Sequence, residues 1–274
     1  SVESINNVQN GKYSLLTLRT KADNTRLPSH QIVDLSNGKV IDGFSSKTLA
    51  AITEHLSKQN QVMIFLNKRG FARTLFCTSC GWKANCVRCE ARTTVHTNPD
   101  LLICHYCGWK ERLKTQCPEC QKPDLISLGQ GTQKLEAVLG KHFPLTPIFR
   151  IDRDSTRSQN QFAETLREIN NGKSCILVGT QMLSKGHDFK KLTLVVVMEA
   201  DAGFNAIDFR GPEKSAQQIL QVSGRSGRHN DRGEIILQTY DANNPILLSL
   251  IRNGYKSFAD NELQIREKMR FPPF

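Results

Sequence analysis

"CILVGTQMLSKGHDFKKLTLVVVM", residues 175–198, contains two short and continuous runs of apolar residues separated by a polar segment. A strand buried on both faces has such a continuous apolar pattern, whereas a strand with one face in water alternates between apolar and polar residues. The two runs, at 175–180 and 192–198, are therefore predicted to be central strands of a parallel sheet.

The same alternation of buried strands and helices continues on both sides of this stretch. Strands of Val, Ile and Leu that alternate with helices of about ten residues form a parallel sheet covered on both faces. The predicted fold class is therefore α/β. Further strands are predicted at 61–67, 125–129, 148–152 and 233–239, and helices at 46–58, 131–141, 159–170, 213–222 and 244–269.

The overall charge of the chain favours a polyanionic partner. The 274 residues include 37 Lys and Arg against 26 Asp and Glu, which gives a net charge of +11. Such an excess suits nucleic acid, because Lys and Arg release counterions from phosphates. A basic solvated surface without a partner is the alternative.

No targeting or membrane segment is recognisable in the sequence. The start, "SVESINNVQN", lacks the basic and apolar regions of a signal peptide. The longest apolar run, at 192–198, is too short to cross a bilayer. We therefore expect a cytoplasmic protein that does not bind membranes.

Eight of the nine cysteines occur as four CxxC pairs. In a reducing compartment, clustered cysteines bind metal more often than they form disulfides. Two thiolates at this spacing can reach one tetrahedral Zn²⁺, so four pairs predict two closed four-cysteine sites and two Zn²⁺ per chain. An iron–sulfur cluster is the chemical alternative, and the spacing does not decide which pairs share an ion. The pairs are Cys77/Cys80, Cys86/Cys89, Cys104/Cys107 and Cys117/Cys120.

The cysteine-rich segment lies between two predicted strands of the body, which makes it an insertion rather than a tandem domain. Between residues 68 and 122 there are ten Lys or Arg against four Asp or Glu, with Trp82, Tyr106 and Trp109 among them. Aromatic rings and cations together suit single-stranded nucleic acid. Packing of the rings in a small core is the alternative, and His105 is expected to be a neighbour of the metal rather than a ligand.

A second group of residues suits phosphate chemistry. "QVSGRSGR", residues 221–228, sets Arg225 and Arg228 three apart among glycines and serines. Such arginines stabilise charge on a transferring phosphoryl group, but they need a loop that holds the phosphates. The nearest match to that loop, "NGKS" at 171–174, lacks the first glycine and follows a helix instead of a strand. No complete nucleotide site is therefore predicted.

Several motifs together carry a resemblance to known helicases. "GTQMLSKGHDF" (179–189) followed by "QVSGRSGR" resembles motifs V and VI of superfamily 2 helicases. "FLNKRGF" (65–71), the four-pair insertion, "GQGTQ" (129–133) and "RIDRD" (150–154) narrow the resemblance to the PriA family (primosomal protein N′) of replication-restart DNA helicases. This resemblance covers nearly the whole chain.

The resemblance implies a RecA-like second helicase lobe, a parallel sheet flanked by helices, with an inserted small zinc-binding domain whose sites each have four cysteine ligands. It also implies that both ends are cut from a longer chain and that the phosphate loop lies in a preceding lobe. The implied domains are a connecting segment from that lobe (1–44), the lobe itself (45–75 and 122–243), the zinc-binding insertion (76–121) and a helical tail toward a further domain (244–274).

The resemblance implies roles for residues that contact the nucleotide. It implies that Arg225 and Arg228 stabilise the γ-phosphate of ATP bound with Mg²⁺ in the full-length protein. It implies that Gln221 couples the nucleotide to closure of the lobes. Gly186 and Asp188 are implied to lie on the nucleotide side of motif V.

Roles follow also for DNA and for zinc. The resemblance implies that Thr132, Thr180 and Gln181 contact the DNA backbone. Family members often have an acidic residue after "GT", where this chain has Gln133, so a role that depends on that charge is in doubt. The implied zinc arrangement is nested, with Cys77, Cys80, Cys117 and Cys120 on one ion and Cys86, Cys89, Cys104 and Cys107 on the other.

The predicted function is that of the second motor lobe of an ATP-dependent 3′-to-5′ DNA helicase in primosome assembly and replication restart, inactive without its first lobe. The implied partners are forked or single-stranded DNA, primosome and single-strand-binding proteins, and the protein's own N-terminal lobe. A non-enzymatic zinc module that binds single-stranded nucleic acid or a partner protein is one alternative. Another superfamily 2 translocase, acting on RNA or duplex DNA, is the second.

Overall fold

The structure is a computed structural model. It describes residues 1–274 except 18–27, 37, 67–73, 90, 92, 98, 129–130, 153–158, 185–187, 206–207 and 228–231. The helices are α1 (Val2–Gln9), α2 (Ser46–Ser57), α3 (Thr132–His142), α4 (Gln159–Asn170), α5 (Gln181–Ser184), α6 (Gly211–Ser223) and α7 (Pro245–Met269). The strands are β1 (Ser29–Asp34), β2 (Val40–Ile41), β3 (Phe44–Ser45), β4 (Gln61–Leu66), β5 (Thr74–Cys77), β6 (Thr94–Thr97), β7 (Asp100–Ile103), β8 (Lys110–Arg112), β9 (Leu125–Leu128), β10 (Ile148–Ile151), β11 (Cys175–Gly179), β12 (Leu192–Met198) and β13 (Glu234–Thr239).

The centre of the lobe is a six-stranded parallel sheet in the order β1-β13-β12-β4-β11-β10. Every residue of β4, β11 and β12 is buried. Continuous burial on both faces is the reason that these strands are apolar throughout. The predicted α/β class and the central strands at 175–180 and 192–198 are confirmed, within one residue at the end of the first.

Helices cover both faces of the sheet. One apolar core contains Met63 and Val195 of the sheet together with Ile219 of α6 and Leu250 of α7. The other core contains Ile64 of the same strand β4 and packs it against α2 and α3. Because neighbouring residues of β4 enter opposite cores, both layers of helices are needed to bury this strand.

The N-terminal segment, expected to be a connector from a preceding lobe, also contributes to the main sheet and to its core. Ser29–Asp34 forms β1, which pairs in parallel with β13 at the edge of the main sheet. Val2 of α1 is fully buried in the core that also contains α6 and α7. Val2 and β1 thus contact elements about 200 residues away in the chain, which is one reason that the segment shows no core of its own in the sequence.

The stretch predicted as a strand of the body at 125–129 also lies elsewhere. Leu125–Leu128 forms β9, which pairs antiparallel with β5 in a separate two-stranded sheet. β5 and β9 are the two chain segments that lead into and out of the cysteine-rich insertion. The apolar composition of β9 identifies a strand, but it does not identify the partner strand, and this is why the assignment to the main sheet was wrong. No helix among the described residues is both long enough and apolar enough to span a membrane.

Candidate functional site

The four CxxC pairs fold into four similar turns. In each turn the N–H of the first cysteine donates to the carbonyl five residues later, at 2.7 to 2.9 Å. In the two turns with the repeated phrase "CGWK", Gly81 and Gly108 have φ of +81° and +76°. A residue with a side chain rarely adopts such angles, so glycine suits this position. Gln121, with φ of +60°, occupies the same position in the turn of Cys117 and shows that the turn does not strictly require glycine.

The turns come together in two clusters, and these have the nested arrangement that the resemblance implied. Within each cluster the four sulfur atoms lie within 4.8 Å of one another. The outer cluster joins the two chain segments of β5 and β9, and the inner cluster lies wholly within the insertion. The outer cluster is Cys77, Cys80, Cys117 and Cys120, and the inner cluster is Cys86, Cys89, Cys104 and Cys107.

The spacing of the sulfur atoms fits one tetrahedral ion per cluster. The Sγ atoms of Cys77 and Cys120, and those of Cys86 and Cys107, are 3.5 Å apart. A Zn–S bond of about 2.3 Å places neighbouring sulfurs about 3.8 Å apart in a tetrahedron. A disulfide would need about 2.05 Å. Several irons with bridging sulfides would need a wider cage, so these residues fit a single structural ion such as Zn²⁺ and leave no open position for catalysis.

Each cluster contains one thiol that ionises near neutral pH. Burial of Cys104 opposes ionisation, but the N–H groups of Cys107 and Tyr106 donate to its sulfur and lower the pKa of Cys104 to about 7. In the outer cluster, burial likewise opposes ionisation of Cys117, and backbone N–H groups of its own turn lower its pKa to about 7. Metal ions bind the thiolate form, so these backbone donors favour metal binding.

The insertion contacts the lobe where β12 and β13 end. The rings of Phe76 and Tyr240 lie 4.6 Å apart, and the Lys83 ammonium lies 3.9 Å from Asp201 Oδ2. Asp201 is buried, and its other oxygen accepts a hydrogen bond from the Thr239 hydroxyl at 2.5 Å. Burial, together with two nearby carboxylates, raises the pKa of Tyr240 to about 12, so the phenol stays neutral. The insertion is therefore placed at the carboxyl edge of the sheet.

The residues predicted to contact DNA lie at this same carboxyl edge. Thr132 is the first residue of α3, and its hydroxyl donates to Asp152 Oδ2 at 2.5 Å, directly after β10. Thr180 directly follows β11, and Gln181 begins α5. Gly179 before them is required by close packing, because a Cβ there would lie 2.3 Å from a backbone oxygen of β10.

The residues predicted to act on the nucleotide lie at the opposite edge. Gln221 is exposed in the last turn of α6, and Arg225 follows that helix half-buried. The Ser226 hydroxyl donates to the Thr193 carbonyl at 2.8 Å, and the Gly227 N–H donates to the Leu192 carbonyl at 2.9 Å. These bonds attach the arginine-bearing loop to the start of β12. The loop is thus held at the amino edge of the sheet.

The remaining predicted residues are only partly described. Asp188 is exposed and lies four residues before β12, at the amino edge with the arginine loop. Gly186 and Arg228 lie outside the described residues, so the predictions for them stay predictions. The structure thus brings the eight predicted zinc ligands together in two groups and separates the other candidates between two edges.

Sequence reasoning assigned no role to two buried acids that organise the carboxyl edge. Asp152 accepts hydrogen bonds from Thr132 and from Arg150, the latter at 2.8 Å. Asp201 connects β13 to the insertion, as described above. Asp152 directly follows β10, and Asp201 lies three residues after the end of β12. An acidic residue within three residues of the end of a parallel strand is a signal that could have identified them, because open parallel sheets bind their ligands at this edge.

Comparisons with known proteins agree with both parts of the structure. A family model of the helicase conserved C-terminal domain matches residues 121–230. A family model of the PriA DNA helicase Cys-rich region (CRR) domain matches residues 86–112, which contain the inner cluster. The first range contains the helices and strands from β9 to the arginine loop.

Curated relatives align with the whole chain. The replication restart protein PriA of Haemophilus influenzae is 45% identical over 274 residues, which cover 100% of this chain and 38% of that protein. The protein of the same name from Rickettsia conorii is 36% identical over 277 residues, which cover 100% of this chain and 43% of that protein. The chain spans less than half the length of these relatives.

Solved structures are more distant. Saccharomyces cerevisiae Dbp5 bound to RNA and ADP BeF3 is 12% identical, with a TM-score of 0.44 and coverage of 97% of this chain and 51% of that chain. Domain 2 of the DEAD-box helicase Mss116p bound to an RNA duplex is 15% identical, with a TM-score of 0.37 and coverage of 77% and 52%. The RecA-like assignment rests on the sheet order and on the helicase family model, not on these superpositions.

Proposed function

We propose, since the chain belongs to the PriA family of replication restart proteins, that it forms the second motor lobe of an ATP-dependent DNA helicase. The observation that carries this proposal is the separation of the candidate residues between the two edges of one sheet. A motor lobe has to contact the nucleotide and the DNA at the same time, and opposite edges of a rigid sheet allow both contacts.

We expect the residues at the amino edge of the sheet to contact the nucleotide. Arg225, together with Arg228, would stabilise the charge on the γ-phosphate of an ATP–Mg²⁺ complex held mainly by a preceding lobe. The two hydrogen bonds from the arginine loop to β12 support this role, because they fix the backbone that carries Arg225. Gln221 would couple the nucleotide to closure of the lobes. Gly186 and Asp188 would form the rest of the nucleotide-facing surface at this edge.

We expect the residues at the carboxyl edge of the sheet to contact DNA phosphates. The hydroxyl of Thr132 already donates to Asp152, so its contact with a phosphate falls to the backbone N–H at the start of α3. A helix start presents such N–H groups to anions. Thr180 and Gln181 at the start of α5 would bind the adjoining phosphate. The zinc-loaded insertion, which lies at the same edge, would place its surface beside the bound DNA.

The wider setting is proposed from family membership. The full-length protein would move 3′ to 5′ at stalled forks in the cytoplasm, and would work with primosome and single-strand-binding proteins to restart replication. The excess of positive charge, +11 over the chain, supports a DNA partner.

The arginine assignment is tested in a full-length protein that contains this chain. Arg225→Ala should reduce DNA-stimulated ATP hydrolysis by about a thousandfold, because it removes a cation from the developing charge. Affinity for forked DNA should be retained. Phosphate release and fluorescence anisotropy measure the two effects. Arg252→Ala, at an exposed position of α7, is the matched control and should keep full hydrolysis. Hydrolysis that survives Arg225→Ala would exclude this arginine from the nucleotide site.

The half-motor assignment is tested with the 274-residue chain itself. Zinc-loaded chain should hydrolyse no ATP above the contaminant level, with or without forked DNA, because the phosphate loop is expected in the preceding lobe. Addition of that lobe should restore turnover. Turnover by this chain alone would reveal a complete nucleotide site within it and would contradict the proposal.

A binding function of the insertion is the second candidate, and the surface of the inner cluster favours it. Val87 and Tyr106, within two of the turns, are 75% and 73% exposed. An open cleft of about 600 Å³ lies between Val87 and the turns of the outer cluster, and its lining includes Trp82, Lys83 and Lys114 as well as the acids Glu111 and Glu119. Rings beside cations suit single-stranded nucleic acid. Full hydrolysis in the Arg225→Ala protein would favour this function for the chain over the motor function.

A further inference from the structure

A pair of histidines lies on the insertion outside both cysteine clusters. The Nε2 atoms of His96 and His105 are 3.2 Å apart, and their rings lie 5.3 Å apart at an angle of 55°. His96 belongs to β6 and is half-buried, and His105 lies in the exposed turn between Cys104 and Cys107. The two rings therefore come from separate parts of the chain and meet at the surface.

The backbone on both sides of the pair is fixed by hydrogen bonds. β6 pairs antiparallel with β7, with His96 opposite Leu101. The turn of His105 is closed by the bond from Cys104 N–H to the Trp109 carbonyl at 2.8 Å and by that from Gly108 N–H to the Cys104 carbonyl at 2.9 Å. A ligand pair built on fixed backbone loses little freedom when it binds an ion.

The distance between the nitrogens suits either one shared proton or one shared cation. A neutral imidazole has one N–H and one lone pair, so the two rings can form one hydrogen bond. If both nitrogens instead turn their lone pairs to one ion, a Zn–N bond of about 2.0–2.1 Å places them about 3.3 to 3.4 Å apart in a tetrahedron. The 3.2 Å separation of His96 and His105 is close to that value.

We propose that His96 and His105 form a third metal site, which takes an exchangeable divalent transition-metal ion such as Ni²⁺, Co²⁺ or Zn²⁺. Imidazole is a preferred ligand of these ions. Among the residues that the structure describes, three or more metal-binding side chains converge only in the two cysteine clusters. The histidine pair therefore provides two ligands and leaves the other positions to water or to a donor of a bound molecule.

The position beside the inner cluster adds an electrostatic reason. Four thiolates with one divalent ion carry a net charge of −2, and His105 directly follows the ligand Cys104 in the chain. A negative centre nearby favours a bound cation at the histidine pair. The site is open, unlike the closed four-cysteine sites, so its ion exchanges with solution while the two cluster ions stay bound.

The experiment uses the 274-residue chain without a histidine tag and loaded with two zinc ions per chain. Calorimetric titration with Ni²⁺ should show one additional equivalent, with no Ni–thiolate absorption and with both zinc ions retained. His96→Asn and His105→Asn should each weaken this equivalent by about tenfold or more, since even outer partners of metal ligands have such effects. His30→Asn, at an exposed histidine of β1, is the matched control and should leave it unchanged.

Two results would overturn the proposal. One is the lack of an additional equivalent in the unchanged chain, and the other is an equivalent that persists in both histidine variants. If a variant fails to hold two zinc ions, NMR of the unchanged chain decides. Ni²⁺ should broaden the ring signals of His96 and His105 together, before those of His30. Signals that broaden uniformly, or not at all, mean that the rings share only a hydrogen bond.

Discussion

Replacement of Cys117 by Ser is expected to remove one zinc ion and to unfold the outer part of the insertion. Cys117 is fully buried in the cluster that joins the two chain segments of the insertion. Among the described residues, the apolar cluster of the insertion has four buried members, with three partly buried residues packed against them. A core of that size cannot offset the entropy of the chain, so metal binding, on the order of 10 kcal/mol in small zinc domains, supplies the folding free energy.

The loss should be read by metal analysis and by limited proteolysis. Zinc content should fall from two ions to one, and cleavage should appear in the segment around the outer cluster. Cys104→Ser should also lose one ion, but it should leave the β5–β9 stem and its contact with Tyr240 protected. Cys175→Ala, buried in β11 away from both clusters, is the control and should retain two ions. A Cys117→Ser protein with two ions would refute the cluster assignment.

Arg266→Met is expected to destabilise the lobe by about 3 to 5 kcal/mol. The guanidinium is 1% exposed and donates to Glu213 Oε2 at 3.0 Å and to Glu262 Oε1 at 2.9 Å. Glu213 Oε1 also accepts the Val2 N–H at 2.9 Å, so this group joins α1, α6 and α7. Without the cation, two buried carboxylates lose their partner, and this is the source of the large loss.

The loss should depend on pH in a defined direction. Burial raises the pKa of Glu262, and Arg266 opposes this rise only in part. A raised pKa means that the folded state binds the proton more tightly than the unfolded chain, so stability from this group is present at low pH and falls as pH rises through that pKa. In the Arg266→Met variant the pKa of Glu262 should rise further, because the cation that opposes the rise is gone. The difference in unfolding free energy between variant and parent should therefore be smaller at about pH 5 than at about pH 8.

Urea unfolding at the two pH values measures this difference. Arg252→Met makes the same substitution at an exposed position of α7, on the other side of its break at Gly254, and should cost less than about 0.5 kcal/mol at both pH values. An Arg266→Met loss that is equal at both pH values would mean that lost packing of the side chain, and not the unpaired carboxylates, is responsible.

The strands and helices of the lobe were predictable because burial determines the pattern of apolar residues within each short stretch of sequence. A strand covered on both faces, such as β12, is apolar at nearly every position. The helix at 159–170 was predicted with the bounds that the structure has, because its apolar residues recur at helical spacing. β9 was placed in the wrong sheet, because a strand's composition does not depend on which strand lies beside it.

The clustering of the eight cysteines was predictable for a similar reason. A CxxC pair is local, since both thiolates of a pair must reach one ion from one turn. The roles of Arg225 and Asp188 came from a resemblance of motifs, and the structure adds that these residues share the amino edge of the sheet. The pair of His96 and His105 leaves no pattern in the sequence, since the two lie nine positions apart with residues of unrelated character between them.

The sequence by itself predicted the class of fold, the eight cysteines that cluster and the resemblance to the family, because each depends on short-range patterns of residues. Only the tertiary structure decided that β1 completes the main sheet, that His96 and His105 meet, and that Arg266 joins both ends of the chain to α6. These features depend on contacts between residues far apart in the chain. Such contacts follow from how the whole core packs, and no local stretch of sequence contains that information.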